Sequence, residues 1–169
     1  HNISIINDGK DDIEHKYVVS VGWDKKVRLF VDDDDDIVNP HRILPAPGFA
    51  GHKDDIMCVV HCEPRLLATG SYDGRGSYDG TAKVWNTETG ECSMTLTGHT
   101  GGVSSVAFHS TDPTRLATAS GDNTAKIWNT ETGECSMTLT GHTGGVTSVA
   151  FHSTDPTRLA TASYDKTAT

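Results

Sequence analysis

Three residue types that together can run nucleophilic catalysis recur along this chain: a histidine, a hydroxyl and a carboxylate. His99, Thr118 and Asp122 form one set, with Trp128 six residues beyond the aspartate. Such a set can act as a triad, the imidazole taking the hydroxyl proton while the carboxylate holds the ring. The same types return as His142, Thr161 and Asp165, and as His52, Thr69, Asp79 and Trp85. An active site is seldom built once per repeating unit, whereas a structural lock is. The three sets are read as structural, and no catalytic residue is assigned.

Other chemistry is tested in the same way. Cys58, His61 and Cys62 suggest zinc, but a strand would place the two cysteines on one face and His61 on the other. No second Cys/His pair stands at zinc-finger spacing, so no metal site is assigned. Cys92 and Cys135 are equivalent positions and are read as free thiols. The five consecutive acids Asp32 to Asp36 suggest calcium. A calcium loop of the helix-loop-helix kind needs Gly at its sixth position and Glu at its twelfth; Ile37 and Ile43 stand there. A solvated loop is the preferred reading, with weak cation binding or a basic partner as alternatives. Gly74-Arg75-Gly76 begins like a phosphate loop but lacks the third glycine and the strand-loop-helix context. No cofactor is expected.

The elements that position these residues are set by a repeat. Residues 81–123 and 124–166 are identical at 39 of 43 positions, differing only at Val84/Ile127, Ser104/Thr147, Gly121/Tyr164 and Asn123/Lys166. A fixed period of this length signals a repeat architecture. Each unit reads as four short β-prone runs between turn formers. In the second copy of the pattern the strands are expected at Val103–His109, Leu116–Ser120, Thr124–Trp128 and Cys135–Thr140. Residues 17–23 and 26–31 read as two further strands around Asp24-Lys25, and 32–50 as irregular. No stretch shows a helical period, so the chain is expected to be all-β.

Gly51-His52, Gly98-His99 and Gly141-His142 each open a unit. Each is followed by a turn Asp, and in the first two an aromatic comes six residues later, Asp79 to Trp85 and Asp122 to Trp128; Asp24 to Phe30 keeps the same spacing. On these motifs the chain resembles WD40-repeat proteins over roughly residues 17–169, with the family's Trp-Asp dipeptide replaced by Trp85-Asn86 and Trp128-Asn129. The resemblance implies a β-propeller of four-stranded blades around a central channel. It also implies that the turn Asp accepts from the loop His, the His bonds the strand hydroxyl, and the hydroxyl accepts from the indole N–H.

The expected architecture is an incomplete propeller of two whole and two partial blades. Residues 1–50 would be a partial, diverged blade with an acidic loop, 51–97 and 98–140 whole blades, and 141–169 a partial blade ending in its third strand. The duplicated GSYDG at 70–80 is read as a lengthened loop, which costs little closure entropy. Because the chain starts at His1 rather than Met, a fragment of a longer protein is expected.

Composition narrows the partners. Lys and Arg number 14 against 23 Asp and Glu, a net charge of −9. Nucleic acid needs clustered cations, and an anionic membrane would repel this chain. No apolar run reaches the length of a membrane span. Four cysteines are too few for a disulfide scaffold, so a reducing, cytoplasmic setting is expected. The resemblance points to a non-enzymatic scaffold or adaptor for other proteins, including remaining propeller blades from the same or another chain. Candidate contact residues in predicted loops are Lys53, Asp54, Asp55, Tyr72, Arg75, Tyr78 and Tyr164, since exposed Tyr and Arg are enriched at binding hot spots. The segments GWDKKVRLF, GHKDDIMCVV and LLATGSYDG also resemble blades of ciliary and flagellar WD-repeat proteins. A structural role in a ciliary or cytoskeletal assembly is the alternative.

Overall fold

The structure is a computed structural model; it describes residues 2–8, 15–31, 42–44, 51–62, 66–72, 80–155 and 157–169. Fourteen strands are described and all pairings are antiparallel between sequence neighbours. The first sheet contains β1 (Asn2–Asp8), β2 (His15–Val21), β3 (Val27–Val31) and β4 (Arg42–Leu44). The second contains β5 (Asp55–Cys62), β6 (Leu66–Tyr72), β7 (Ala82–Asn86) and β8 (Cys92–Leu96). The third contains β9 (Val103–Phe108), β10 (Arg115–Ser120), β11 (Ala125–Asn129) and β12 (Cys135–Leu139). The fourth pairs β13 (Val146–Phe151) with β14 (Leu159–Ser163), and Ala168 bridges to Ala162 where a third strand begins.

Four-stranded antiparallel sheets without a helix are the blades the repeat led us to expect. Two details differ. Residues 1–50, expected as part of a blade, contain a full four-stranded sheet. Within the stretch expected to be irregular, Arg42–Leu44 pairs with Val27–Leu29 as an outer strand. This strand is three residues long and lies between Pro40 and Pro45, so composition hides it. The five acids Asp32–Asp36, Pro45 and Pro47 lie outside the described residues, as do Asp79, Arg75 and Tyr78. Tyr72 closes β6 and Asp55 opens β5, both assigned to loops from sequence.

The sheets stack face to face, and each interface is a separate apolar cluster. Between the first and second sheets lie Val19, Val21, Val27, Leu29, Ile56, Leu67 and Trp85. Between the second and third lie Ala68, Ala82, Val84, Leu96, Val103, Leu116 and Trp128. Between the third and fourth lie Ala117, Ala119, Val146 and Val149. The second strand of a sheet is therefore covered on both faces. In β10, Leu116 and Thr118 face the preceding sheet while Ala117 and Ala119 face the following one, and all four are 0% exposed. Small residues on the following face let the next sheet approach. The first strands β1, β5, β9 and β13 adjoin one another, so they run down the inside of the arc and β4, β8 and β12 lie outside.

Candidate functional site

In the first, third and fourth sheets the hairpin after the second strand is built around an aspartate, Asp24, Asp122 and Asp165. In the third sheet Asp122 Oδ1 accepts from the Thr124 amide at 3.0 Å and its hydroxyl at 2.6 Å, and the Asp122 amide donates to Ser120 Oγ at 3.2 Å. The next residue, Asn123, takes a left-handed φ of 69°, as do Lys25 (64°) and Lys166 (70°) after their own turn aspartates. Asn tolerates that region better than Lys because its short amide can bond locally.

The second carboxylate oxygen reaches the loop histidine. His99 Nδ1 lies 2.8 Å from Asp122 Oδ2, His99 Nε2 lies 2.7 Å from Thr118 Oγ, and Trp128 Nε1 donates to the same hydroxyl at 2.8 Å. The Thr100 amide adds a bond to Asp122 Oδ2 at 3.0 Å. The direction of the chain follows from chemistry. An indole N–H only donates, so Thr118 Oγ accepts from Trp128. Its own proton then goes to His99 Nε2, and the ring keeps its proton on Nδ1 for Asp122. Burial disfavours the imidazolium and lowers the His99 pKa, against the pull of Asp122. Burial alone would raise Asp122, but hydrogen bonds from the Thr124 hydroxyl, His99 and the Thr100 amide together hold it below its ordinary value. A neutral histidine beside an ionised carboxylate is the state this geometry favours.

The structure brings the other sequence-predicted sets together in the same way. His142 lies 2.8 Å from Asp165 and 2.9 Å from Thr161. The Thr167 hydroxyl, ahead of His142 and two amides, holds Asp165 well below the usual carboxylate range. His52 Nε2 lies 2.7 Å from Thr69, which accepts from Trp85 at 2.8 Å; Asp79 is outside the described residues. The hydroxyls of Thr69 and Thr118 belong to side chains that are 0% exposed. A substrate cannot meet them without displacing an indole. The third- and fourth-sheet sets join the loop entering a sheet, its second strand and its hairpin, and where a Trp is described, in the second and third sheets, the third strand is joined as well.

The cysteines present no reactive cluster. Burial pushes the Cys58 thiol up to about 12, so it is protonated at neutral pH. Among the described residues no group of three His, Cys, Asp or Glu could hold a metal ion.

A different surface lies at the hairpin end of the sheets. Trp23 and Tyr164, each immediately before a turn aspartate, are 78% and 81% exposed. Met57, 42% exposed, stands between them. It borders a depression of about 410 Å³ with Trp23, Asp24 and Arg28, and another of about 470 Å³ with Gly121 and Tyr164. Asp24 and Arg28 form an ion pair there. Of the residues singled out from sequence, Tyr164 lines this surface. Lys53 is exposed and its carbonyl accepts from Lys25 Nζ at 2.5 Å, while Asp54 and Asp55 are half-buried and Asp54 caps the Asp55 amide at 2.9 Å. Trp23 and Met57 were missed. The repeat carried the signal: Trp23 occupies the position of Gly121 and Tyr164, and Met57 that of Ser104 and Thr147. His109 was also missed; it is buried and its Nδ1 accepts from the amides of Thr111 and Asp112, ordering the loop after β9.

The sequence profile of WD40 (WD domain, G-beta repeat) matches residues 45–75, 90–129 and 133–169. The chain is 46% identical over 75 residues to WD repeat-containing protein 37 of Xenopus tropicalis, covering 43% of this chain and 14% of that protein. It is 43% identical over 56 residues to a probable E3 ubiquitin ligase complex SCF subunit, sconB, of Penicillium rubens, covering 33% of this chain and 7% of that one. It is 39% identical over 72 residues to a ribosome biogenesis protein WDR12 homolog of Arabidopsis thaliana, covering 41% and 15%. The chain thus spans only a small part of the length of these relatives. With matches over more than half of its residues, and blades and hairpin locks in the places the repeat demands, the chain belongs to the WD40-repeat family.

Proposed function

We propose that the chain is a scaffold that binds other proteins through the hairpin end of its sheets, with Trp23, Met57 and Tyr164 as anchors. The observation that carries this reading is the placement of exposed aromatics at one equivalent position of different hairpins, around two adjoining depressions. Large, rigid, amphipathic side chains are the ones that dominate interface energetics. Lys53, Asp54 and Asp55 are included in the same proposed face, where the Lys53 carbonyl accepts from Lys25; the Tyr72 side chain, Arg75 and Tyr78 lie outside the described residues. WD40-repeat proteins generally act as protein-interaction scaffolds, and one relative is named as a subunit of a ligase complex. The His–Thr–Asp–Trp sets serve as structural locks, and no catalytic role is assigned to them. The net charge of −9 supports protein over nucleic-acid partners. The free thiols of Cys58, Cys92 and Cys135 support a reducing, cytoplasmic setting.

The test compares proteins retained by the wild-type chain and by a Trp23→Ala/Tyr164→Ala variant. Both side chains are exposed, so the unfolding midpoint should be unchanged while specific partners are lost. A retained set that does not differ would overturn the reading. The rival, a structural part of a ciliary or cytoskeletal assembly, rests on the resemblance of three segments. Co-sedimentation with microtubules by the purified chain would favour it over a soluble adaptor.

A further inference from the structure

Two hairpins carry the same triplet, an exposed aromatic, the turn aspartate and a lysine: Trp23-Asp24-Lys25 and Tyr164-Asp165-Lys166. The third sheet has Gly121-Asp122-Asn123 in that place. Asn123 is suited to its left-handed φ of 69°, whereas Lys25 and Lys166 take 64° and 70° without the short amide that bonds locally. A disfavoured backbone conformation kept at a surface points to what its side chain does there. The aspartates do not neutralise these lysines. Asp24 is engaged by Arg28 and the Lys26 amide, and Asp165 by Thr167, His142 and the Thr143 amide. Among the described residues no ion pair includes Lys25, Lys26 or Lys166. Lys25 Nζ donates to the Lys53 carbonyl at 2.5 Å, which draws those two residues into one corner.

Charge is sorted along the strands. The chain carries a net charge of −9, yet Lys25, Lys26, Lys53 and Lys166 are exposed at the hairpin end, where Asp54 and Asp55 are half-buried and Asp24 faces Arg28. Exposed acids gather at the opposite end. The turns between β7 and β8 and between β11 and β12 carry Glu88, Glu91, Glu131 and Glu134. The hairpin-end cations flank the two depressions, which share Met57, a flexible apolar side chain that adapts to what it meets. Trp23 borders the first and Tyr164 the second, and the second has no charged lining residue.

Resting on the scaffold reading above, we propose that the segment taken by the hairpin end is acidic. It is an extended stretch of a partner protein with one apolar side chain for each depression and carboxylates on either side of them. The carboxylates pair with Lys25 and Lys53 at one end and with Lys166 at the other. Complementary charge of this kind selects the partner and speeds encounter. The rest of the chain repels an acidic segment, so the attraction is confined to this end.

The probes are two dye-labelled peptides, Asp-Glu-Leu-Asp-Glu-Leu-Asp-Glu and its counterpart with every acid replaced by Lys, titrated into the 169-residue chain and followed by fluorescence anisotropy. The acidic peptide should bind at least about tenfold more tightly at low salt, and 0.5 M salt should erase most of that preference. Binding should also shift tryptophan emission, because Trp23 is 78% exposed while Trp85 and Trp128 are 0% and 2% exposed. Lys25→Asn/Lys166→Asn removes both charges and installs the residue that the third hairpin already carries. It should lose the preference and keep the unfolding midpoint. No saturable binding of the acidic peptide at millimolar concentration would overturn the proposal, as would equal or tighter binding of the lysine peptide. Undiminished affinity in the double Asn variant would overturn it too. Tighter binding of an oligothymidylate than of the acidic peptide would assign the lysines to nucleic acid and overturn it as well. Trp23→Ala/Tyr164→Ala separates the two readings. If it weakens both peptides alike while the Asn variant changes neither, the anchors stand and the acidic partner falls. If it leaves binding whole while the Asn variant removes the preference, the acidic partner stands and the anchors fall.

Discussion

At the scale of single residues, the locks show how a charge survives indoors. Asp122 is nearly enclosed, yet both oxygens are used, one by Thr124 and the other by His99 and the Thr100 amide. A buried polar chain stabilises only when every member is satisfied. Removing the carboxylate in Asp122→Ala leaves the His99 Nδ1 proton and two turn amides without an acceptor. A hydrogen bond to a charged group contributes about 1.5–3 kcal/mol, so a loss of that size is expected in urea unfolding of the chain. An unchanged midpoint would remove the lock from the stability argument. The same set makes stability depend on acid in two stages. The folded state lowers the His99 pKa, so below about 6.5 the unfolded chain takes up a proton that the folded chain refuses. Stability therefore declines as pH falls from about 6.5 towards the lowered value. Asp122 is also held low; its contribution is full above about 4 and fades as pH falls through the folded value. His99→Gln should flatten the slope of midpoint against pH between 7 and 5 relative to wild type. Parallel profiles would show that His99 does not titrate with folding.

At the scale of the element, much was legible because turn formers bracket every strand of the repeat. The strands expected at Leu116–Ser120 and Cys135–Thr140 appear as Arg115–Ser120 and Cys135–Leu139. The lock residues were legible because a spacing repeated three times stands out from chance. The short β4 was not, since a three-residue outer strand has backbone pairing with β3 and no side-chain pattern to betray it. Trp23 and Met57 were not, because a departure from a repeat says that a residue differs and not that it is exposed. Packing between elements was also hidden. Gly70 in β6 takes the place of Ala119 in β10. A Cβ on Gly70 would lie 2.6 Å from both Cys58 Sγ and Val103 Cγ1. The sister sheet pairs Ala119 with Ser105 where this one pairs Gly70 with Cys58, so the larger sulfur fills what the missing methyl leaves. Gly70→Ala should therefore destabilise by about 1–3 kcal/mol through overpacking. Adding Cys58→Ser should recover part of that loss. Simple additivity in a thermal double-mutant cycle would show that the two positions are not coupled.

At the scale of the molecule, what matters is which sheet faces are covered. The following face of the third sheet carries Ala117 and Ala119, both 0% exposed beneath Val146 and Val149. The same face of the fourth sheet carries Ala160, which is exposed, and Ala162, which is half-buried. A surface whose twin is a packed interface is shaped for association, and exposed apolar faces and open strand edges promote it. The 169-residue chain is therefore expected to self-associate. Association stabilises the folded form by mass action, so the unfolding midpoint should rise with protein concentration. Ala160→Lys places a cation on the exposed face. Surface substitutions away from packed features usually change stability by no more than about 0.5 kcal/mol, so the dilute chain should be as stable as wild type. Its sedimentation coefficient and midpoint should lose their dependence on concentration. Ala117→Lys, the same change on the covered twin, should instead unfold the interface between the third and fourth sheets, because an unpaired charge would be buried there. A wild-type chain that sediments as an 18.1 kDa monomer across the concentration range, with a fixed cooperative midpoint, would show that the fourth sheet's face is stable in water as it stands.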